Sequence, residues 1–140
     1  MIIENVNENN KKMIENFIKK IPTIDEIEKE IFEKFVIARD EEEVKGIISY
    51  EKYFDKGLIR YFIFQKDVSF DYLEKLFDKL KESAGKEDIT TFVTVIEDED
   101  LCYFLKKLGF KLINIDKIYL SETSLKDTIY RDALGMIYNI

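Results

Sequence analysis

The segment Ile89–Phe110, ITTFVTVIEDEDLCYFLKKLGF, leaves the chain the least freedom. Ile89 to Ile96 is a β-branched, nearly unbroken apolar run of strand length, which is how a strand covered on both faces reads. The carboxylates of Glu97, Asp98, Glu99 and Asp100 then suit the positive end of a helix. Leu101, Phe104, Leu105 and Leu108 follow at i, i+3, i+4 and i+7 and give that helix one apolar stripe. Gly109 supplies the left-handed residue that ends it, and Phe110 can fold back as the hydrophobic contact of the cap. Upstream, Leu58–Phe64 (LIRYFIF) is another strand-like run, and Ser69 opens a helix carrying Phe70, Leu73, Leu76, Phe77, Leu80 and Ala84 as far as Gly85. Two strands joined by a right-handed helical crossover should lie parallel in one sheet.

Ile2, Ile3 and Val6 begin a first strand, and Asn7 to Asn10 offer caps for a helix with Met13, Ile14, Phe17, Ile18 and Ile21 on one side. Pro22, the only proline, closes it. Thr23-Ile24-Asp25-Glu26 has the spacing of a capping box, which predicts a second helix with Ile24, Ile27, Ile31 and Phe35 as its stripe. Phe35–Arg39 and Val44–Phe54 read as a hairpin about the acidic turn Asp40–Glu43, with Asp55-Lys56-Gly57 as the next turn. Beyond Phe110, Lys111–Leu120 and Thr128–Ile140 are strand-like, separated by the polar loop Ser121–Asp127. No repeat or linker interrupts this order, so residues 1–140 are expected to form a single domain around a mixed sheet.

A chain of 140 residues with 46% hydrophobic residues is long enough for one packed core and short for two. The lone Cys102 precludes an internal disulfide and fits a reducing compartment. No run approaches the roughly 18 apolar residues of a membrane span, and MIIENVNENN lacks the basic start and apolar body of a signal peptide. A cytoplasmic location without membrane contact is expected. The net charge of −7 argues against general affinity for nucleic acid, which rests on Lys and Arg neutralising phosphates, and suits a cationic small molecule such as a polyamine. There is no histidine. That removes zinc triads, Ser–His and Cys–His nucleophile pairs and the commonest general base, and no metal is expected. Exposed sheet edges leave a homodimer open.

The order strand, turn, helix, strand, acidic turn and helix resembles the core of the GNAT acetyltransferase superfamily. The fourth helix of that family commonly ends in Tyr-x-x-x-Gly-Phe, matched here by Leu105-Lys106-Lys107-Leu108-Gly109-Phe110. Its last strand often carries Asp-Ala-hydrophobic-x-Met, matched by Asp132, Ala133, Leu134 and Met136. The resemblance implies an α/β (α+β) acyl-CoA N-acyltransferase-like fold with a mixed six- to seven-stranded sheet and about four helices. It also implies transfer of an acetyl group from acetyl-CoA to a small-molecule amine, with coenzyme A held along Phe62, Ile63 and Phe64 and at the turn beyond them.

That turn carries a Gln/Arg-x-x-Gly-x-Gly/Ala signature in the family, and the matching positions are Gln65-Lys66-Asp67-Val68-Ser69-Phe70. Gln65 fits, whereas Val68 and Phe70 stand where the glycines belong. A left-handed valine would cost on the order of 1–2 kcal/mol, so the turn is expected to take another shape. Asp67 and Asp71 bring carboxylates to the helix start, where they compete with phosphate for the same donors. Lys66 offsets part of that. Leu105 occupies the family's proton-donating tyrosine position and cannot donate. Tyr103 is the nearest substitute acid, although i to i+2 puts it on another helix face. Glu97 is the best placed general base, with Glu51 and Tyr50 behind it. As plain structure, Tyr103 is a surface or packing residue, Glu97 a solvated carboxylate, Cys102 a small buried hydrophobe, and Tyr61, Phe62, Phe64 and Phe70 mostly core. Two functions stand side by side: an N-acyltransferase, and a non-catalytic module of the same architecture that binds a protein or another small ligand.

Overall fold

The computed structural model describes residues 1–96, 99–120, 123–124 and 134–140. In chain order these form β1 (Ile2–Asn5), α1 (Lys11–Lys19), α2 (Lys29–Phe32), β2 (Val36–Asp40), β3 (Glu43–Tyr53), β4 (Lys56–Phe64), α3 (Phe70–Gly85), β5 (Thr91–Ile96), α4 (Glu99–Leu108), β6 (Lys111–Ile113), β7 (Tyr119–Leu120), β8 (Thr123–Ser124) and β9 (Leu134–Asn139). Seven strands make one sheet in the order β1-β2-β3-β4-β5-β9-β6, and β7 and β8 pair separately. The expected parallel pair is there, Lys56–Leu58 of β4 lying against Thr91–Val93 of β5. The pairs β1–β2, β2–β3, β5–β9 and β6–β9 are antiparallel, so the sheet is mixed.

The chain forms two compact units, Met1–Glu51 with Arg60–Ala84, and Lys52–Ile59 with Gly85–Ile140. In the first, Ile14 and Ile18 of α1 pack with Phe35, Ile37, Val44 and Ile47, and Tyr61 and Ile63 of β4 join them. Of the predicted stripe, helix α3 buries Leu73, Leu76, Phe77, Leu80 and Ala84 and leaves Phe70, its first residue, half-buried. A Cβ on Gly46 would meet the Phe64 Cβ at 3.3 Å and Leu76 Cδ2 at 3.8 Å, so the missing side chain lets helix and strand approach. Strand β1 is tied to β2 by the Arg39 guanidinium donating to Glu4 Oε1 at 2.6 Å. That donation holds the Glu4 carboxyl below its ordinary value against the opposing effect of burial, with Asn10 assisting.

The predicted second helix is much shorter than its stripe. Residues 21–28 are irregular and α2 is one turn, capped by Glu28 without a side-chain bond. Ile24 and Ile27 reach the core from this irregular stretch. Burial of those side chains is thus achieved without paying for helix nucleation, and Thr23 caps nothing. Ser49 Oγ donates to the Ile31 carbonyl at 2.6 Å and fixes the short helix on β3.

In the second unit Leu58, Val93 and Ile118 form a core against Tyr53, Val95, Ile113, Ile115 and Ile137. The turn expected at Asp55-Lys56-Gly57 lies one residue earlier, because Phe54 takes the left-handed conformation at φ 57° and Lys56 and Gly57 already belong to β4. Lys111–Leu120 is likewise not one strand. Strand β6 stops at Ile113, and a 3-10 turn over Ile115–Lys117 carries Ile115 and Ile118 over Gly135 of β9. The Thr128–Ile140 strand is seen as β9, its earlier residues lying outside the described ones along with most of Ser121–Asp127.

Helix α4 ends as its sequence predicts. Phe110 N–H donates to the Leu105 carbonyl and Gly109 N–H to the Lys106 carbonyl, each at 3.0 Å, with Gly109 at φ 111° and Phe110 buried. This is the paired-bond cap that a left-handed glycine permits. A Cβ on Gly109 would sit 2.9 Å from Tyr138 Cε2. Gly109→Ala is therefore expected to cost about 1–2 kcal/mol, read from the urea midpoint. An unchanged midpoint would show that the cap carries no stability.

Candidate functional site

The cofactor residues expected from sequence lie in the first unit, on the far half of β4 and the turn into α3. Arg60 Nη1 donates to Glu51 Oε1 at 2.7 Å, and its guanidinium stacks 5.2 Å from the centre of the Tyr61 ring. Glu51 is thereby engaged as a structural partner. Tyr61 itself sits at φ 55° in the middle of a strand. For an aromatic residue that conformation costs on the order of 1–2 kcal/mol, and it departs from the φ of a regular strand. Its ring packs against Phe35 at 6.3 Å. Phe62 and Phe64 pair at 5.4 Å. Tyr61, Phe62, Ile63, Phe64 and Phe70 are all half-buried, less enclosed than a core assignment implies.

At the end of β4, Gln65 N–H donates to the Lys45 carbonyl at 2.9 Å. Val68 N–H donates back to the Gln65 carbonyl at 3.2 Å, closing a tight turn, and Tyr72 and Leu73 N–H both donate to the Ser69 carbonyl. No residue from 65 to 70 has a positive φ. Val68 is 8% exposed and points inward as an anchor. The expected change of shape is therefore present: a turn held by a buried valine replaces a glycine cradle. Lys66 and Ser69 are exposed.

Charges around this turn are arranged on Lys45, which the sequence did not single out. Its ammonium lies 3.3 Å from Gln65 Oε1, 3.5 Å from Asp67 Oδ2 and 3.4 Å from Glu43 Oε1. Loss of hydration is the largest single influence on it and lowers its pKa, but Asp67 and Glu43 together outweigh that and raise it. A cavity of about 660 Å³ opens beside Gln65, with Met13, Phe17 and Val44 as its apolar walls and Asp40, Glu41 and Lys20 among its charged ones.

The candidate acid lies in the second unit. Tyr103 on α4 is 69% exposed, with Lys107 Nζ 5.8 Å from its ring centre. Leu105 is 2% exposed and Cys102 is also buried, so α4 faces its core through Cys102, Leu105 and Leu108. Leu101 and Phe104 are only half-buried. Glu97, the candidate base, lies outside the described residues, as do Asp98, Asp132 and Ala133. Among the described residues no three Asp, Glu, His or Cys side chains converge to hold a metal, and no helix is long and apolar enough to cross a membrane.

The sequence singles out Tyr61 only as a core residue, because nothing in LIRYFIF marks a left-handed backbone. Glycine or asparagine would have done so; the only irregularity is Arg60 inside an apolar run. Lys45 was missed because its partners Gln65 and Asp67 are remote in sequence and meet it only through strand pairing.

No family model matches the sequence, and neither does any curated protein. Solved structures do match its fold. A GNAT-family acetyltransferase from Staphylococcus aureus superposes with a TM-score of 0.72 at 18% identity, over 99% of this chain and 98% of that one. Rv2747 from Mycobacterium tuberculosis, solved with CoA and NLQ, gives 0.70 at 12% identity over 100% and 99%. N-acetylglutamate synthase from Neisseria gonorrhoeae, solved with coenzyme A and L-arginine, gives 0.73 at 16% identity and covers 99% of this chain. The chain spans about a third of that synthase, 33% of its length. At these identities the likeness is one of architecture: the chain has the GNAT acetyltransferase fold.

Proposed function

We infer that the chain binds acetyl-CoA along β4 and transfers its acetyl group to an amine, with a weaker hold on the diphosphate than a glycine cradle would give. The observation that carries this reading is the left-handed backbone of Tyr61 in the middle of β4. Strained backbone persists only where its surroundings over-determine it, and such positions gather at ligand-binding segments. Here the Arg60–Glu51 pair and the Phe35 ring supply those surroundings. A break in regular strand geometry at this point would free a backbone N–H to polarise a thioester carbonyl. When bound, acetyl-CoA would supply the activated acyl group. The peptide groups of Phe62, Ile63 and Phe64 would align its pantetheine arm, and Gln65, Lys66, Ser69 and Phe70 would face the diphosphate while Val68 anchors the turn from inside. Solved structures of the same fold contain coenzyme A, which supports the choice of cofactor. Tyr103 and Glu97 are the acid and base to be tested, and the acceptor is a small amine suited to an acidic protein.

Thermal unfolding with acetyl-CoA checks this directly. Ligand at 100 times Kd adds about 2.7 kcal/mol, which for a domain of this size raises Tm by roughly 5–10 °C. Coenzyme A release on adding amines should accompany the shift. No shift at millimolar acetyl-CoA would favour the non-catalytic module instead.

A further inference from the structure

We propose that Lys45 is the anion ligand of the β4–α3 turn, and that Asp67 and Glu43 occupy its ammonium in place of a diphosphate until a ligand displaces them. The proposal rests on the reading that this turn faces the diphosphate of coenzyme A, and it names the residue and the internal competitor that set affinity there.

Three observations meet on one residue. Because its carbonyl accepts the Gln65 N–H, Lys45 stands across the ladder from the first residue of the turn. Its side chain then reaches over the turn, touching Gln65 Oε1 and Asp67 Oδ2. The ammonium end is held in place, its side chain only 15% exposed, whereas Asp67 and Glu43 are 69% and 63% exposed. Exposed carboxylates form weak pairs and exchange readily. A diphosphate carries more charge, and lysine binds phosphate as a point charge. The start of α3, a helix of 16 residues, adds its positive end close to Asp67. Asp67 thus sits between the two positive features that an incoming diphosphate would use.

The test is calorimetric titration of the native chain, Asp67→Asn, Lys45→Met and the double variant with coenzyme A and, separately, with inorganic pyrophosphate. Removing the competitor should tighten both ligands about fivefold, the scale of an exposed charge pair. Lys45→Met should weaken both by a similar factor and cancel the gain from Asp67→Asn, while Lys45→Arg should retain binding. A gain from Asp67→Asn that persists without Lys45, or affinities indifferent to all the variants, would overturn the proposal. Pyrophosphate binding that obeys this pattern without acetyl transfer would keep Lys45 as the ligand and sink the acyltransferase reading. Acetyl transfer with indifferent affinities would do the reverse, and no binding of either probe to any variant would overturn both.

Discussion

Gly135→Val is expected to lower stability by about 3 kcal/mol or more, the upper part of the range for overpacking a filled site, and to drop Tm by roughly 10 °C. By propensity alone the change should help, since valine favours strands and glycine weakens them. Position 135 reverses that preference. It lies in β9 between two partners, opposite Val95 of β5 and Ile113 of β6, so the strand cannot move aside without disturbing both ladders. A Cβ there would meet the Ile113 carbonyl oxygen at 3.2 Å and Ile115 Cδ1 at 3.3 Å, and would press on Ile118. The isoleucine tips could rotate; the carbonyl is part of the ladder and cannot. Gly135→Ala should follow the same direction with a smaller loss, because it lacks the two branching methyls. Calorimetry on both variants decides the matter: an unchanged or higher Tm for the valine variant would mean that the turn over Ile115–Lys117 does not close on β9 as described.

That glycine shows where sequence reading runs out. The string DALGM was informative through its apolar and acidic members, and Gly135 was the position in it that carried no weight. Its reason is the approach of Ile115 and Ile118, which belong to a stretch read as plain strand. By contrast, α3 and β5 are legible because each buries a regular stripe or run, β4 because its apolar run has strand length although Arg60–Phe64 is only half-buried, and the cap at Gly109 because only glycine takes φ 111° at low cost. On α4 the core face runs through Cys102, Leu105 and Leu108, with Leu101 and Phe104 half-buried. The second helix failed for the opposite reason: Ile24 and Ile27 satisfy their burial from irregular backbone, so the spacing was real and the helix was not. At the turn, residue type alone excluded a left-handed Val68, and the structure replaces the glycine cradle with a buried anchor. What residue type could not give was the grip of Asp67 on Lys45, a contact across 22 residues of sequence.

Phe35→Ala should be among the most damaging single truncations in the first unit, at about 3–5 kcal/mol, or a Tm lower by roughly 10–15 °C. The ring is fully buried, stands edge-on to Phe32 at 5.6 Å and reaches Tyr61 at 6.3 Å. Its backbone is independently fixed, N–H to the Phe32 carbonyl and carbonyl to the Val6 N–H, so alanine leaves the chain path intact and empties the space beside β4. The cavity would open against the residue whose strained backbone is the basis of the proposed thioester site. If that strain is maintained by packing, Tyr61 should relax toward ordinary strand geometry, and the acetyl-CoA shift should fall further than the lost stability explains. Leu80→Ala on α3 is the matched control: Leu80 is equally buried, and truncating it removes comparable apolar volume. It should destabilise by about 2–5 kcal/mol and leave the acetyl-CoA shift in place at temperatures where both variants are folded. Equal loss of the shift in the two variants would mean that Phe35 serves stability alone, and that the left-handed Tyr61 does not depend on the ring beside it.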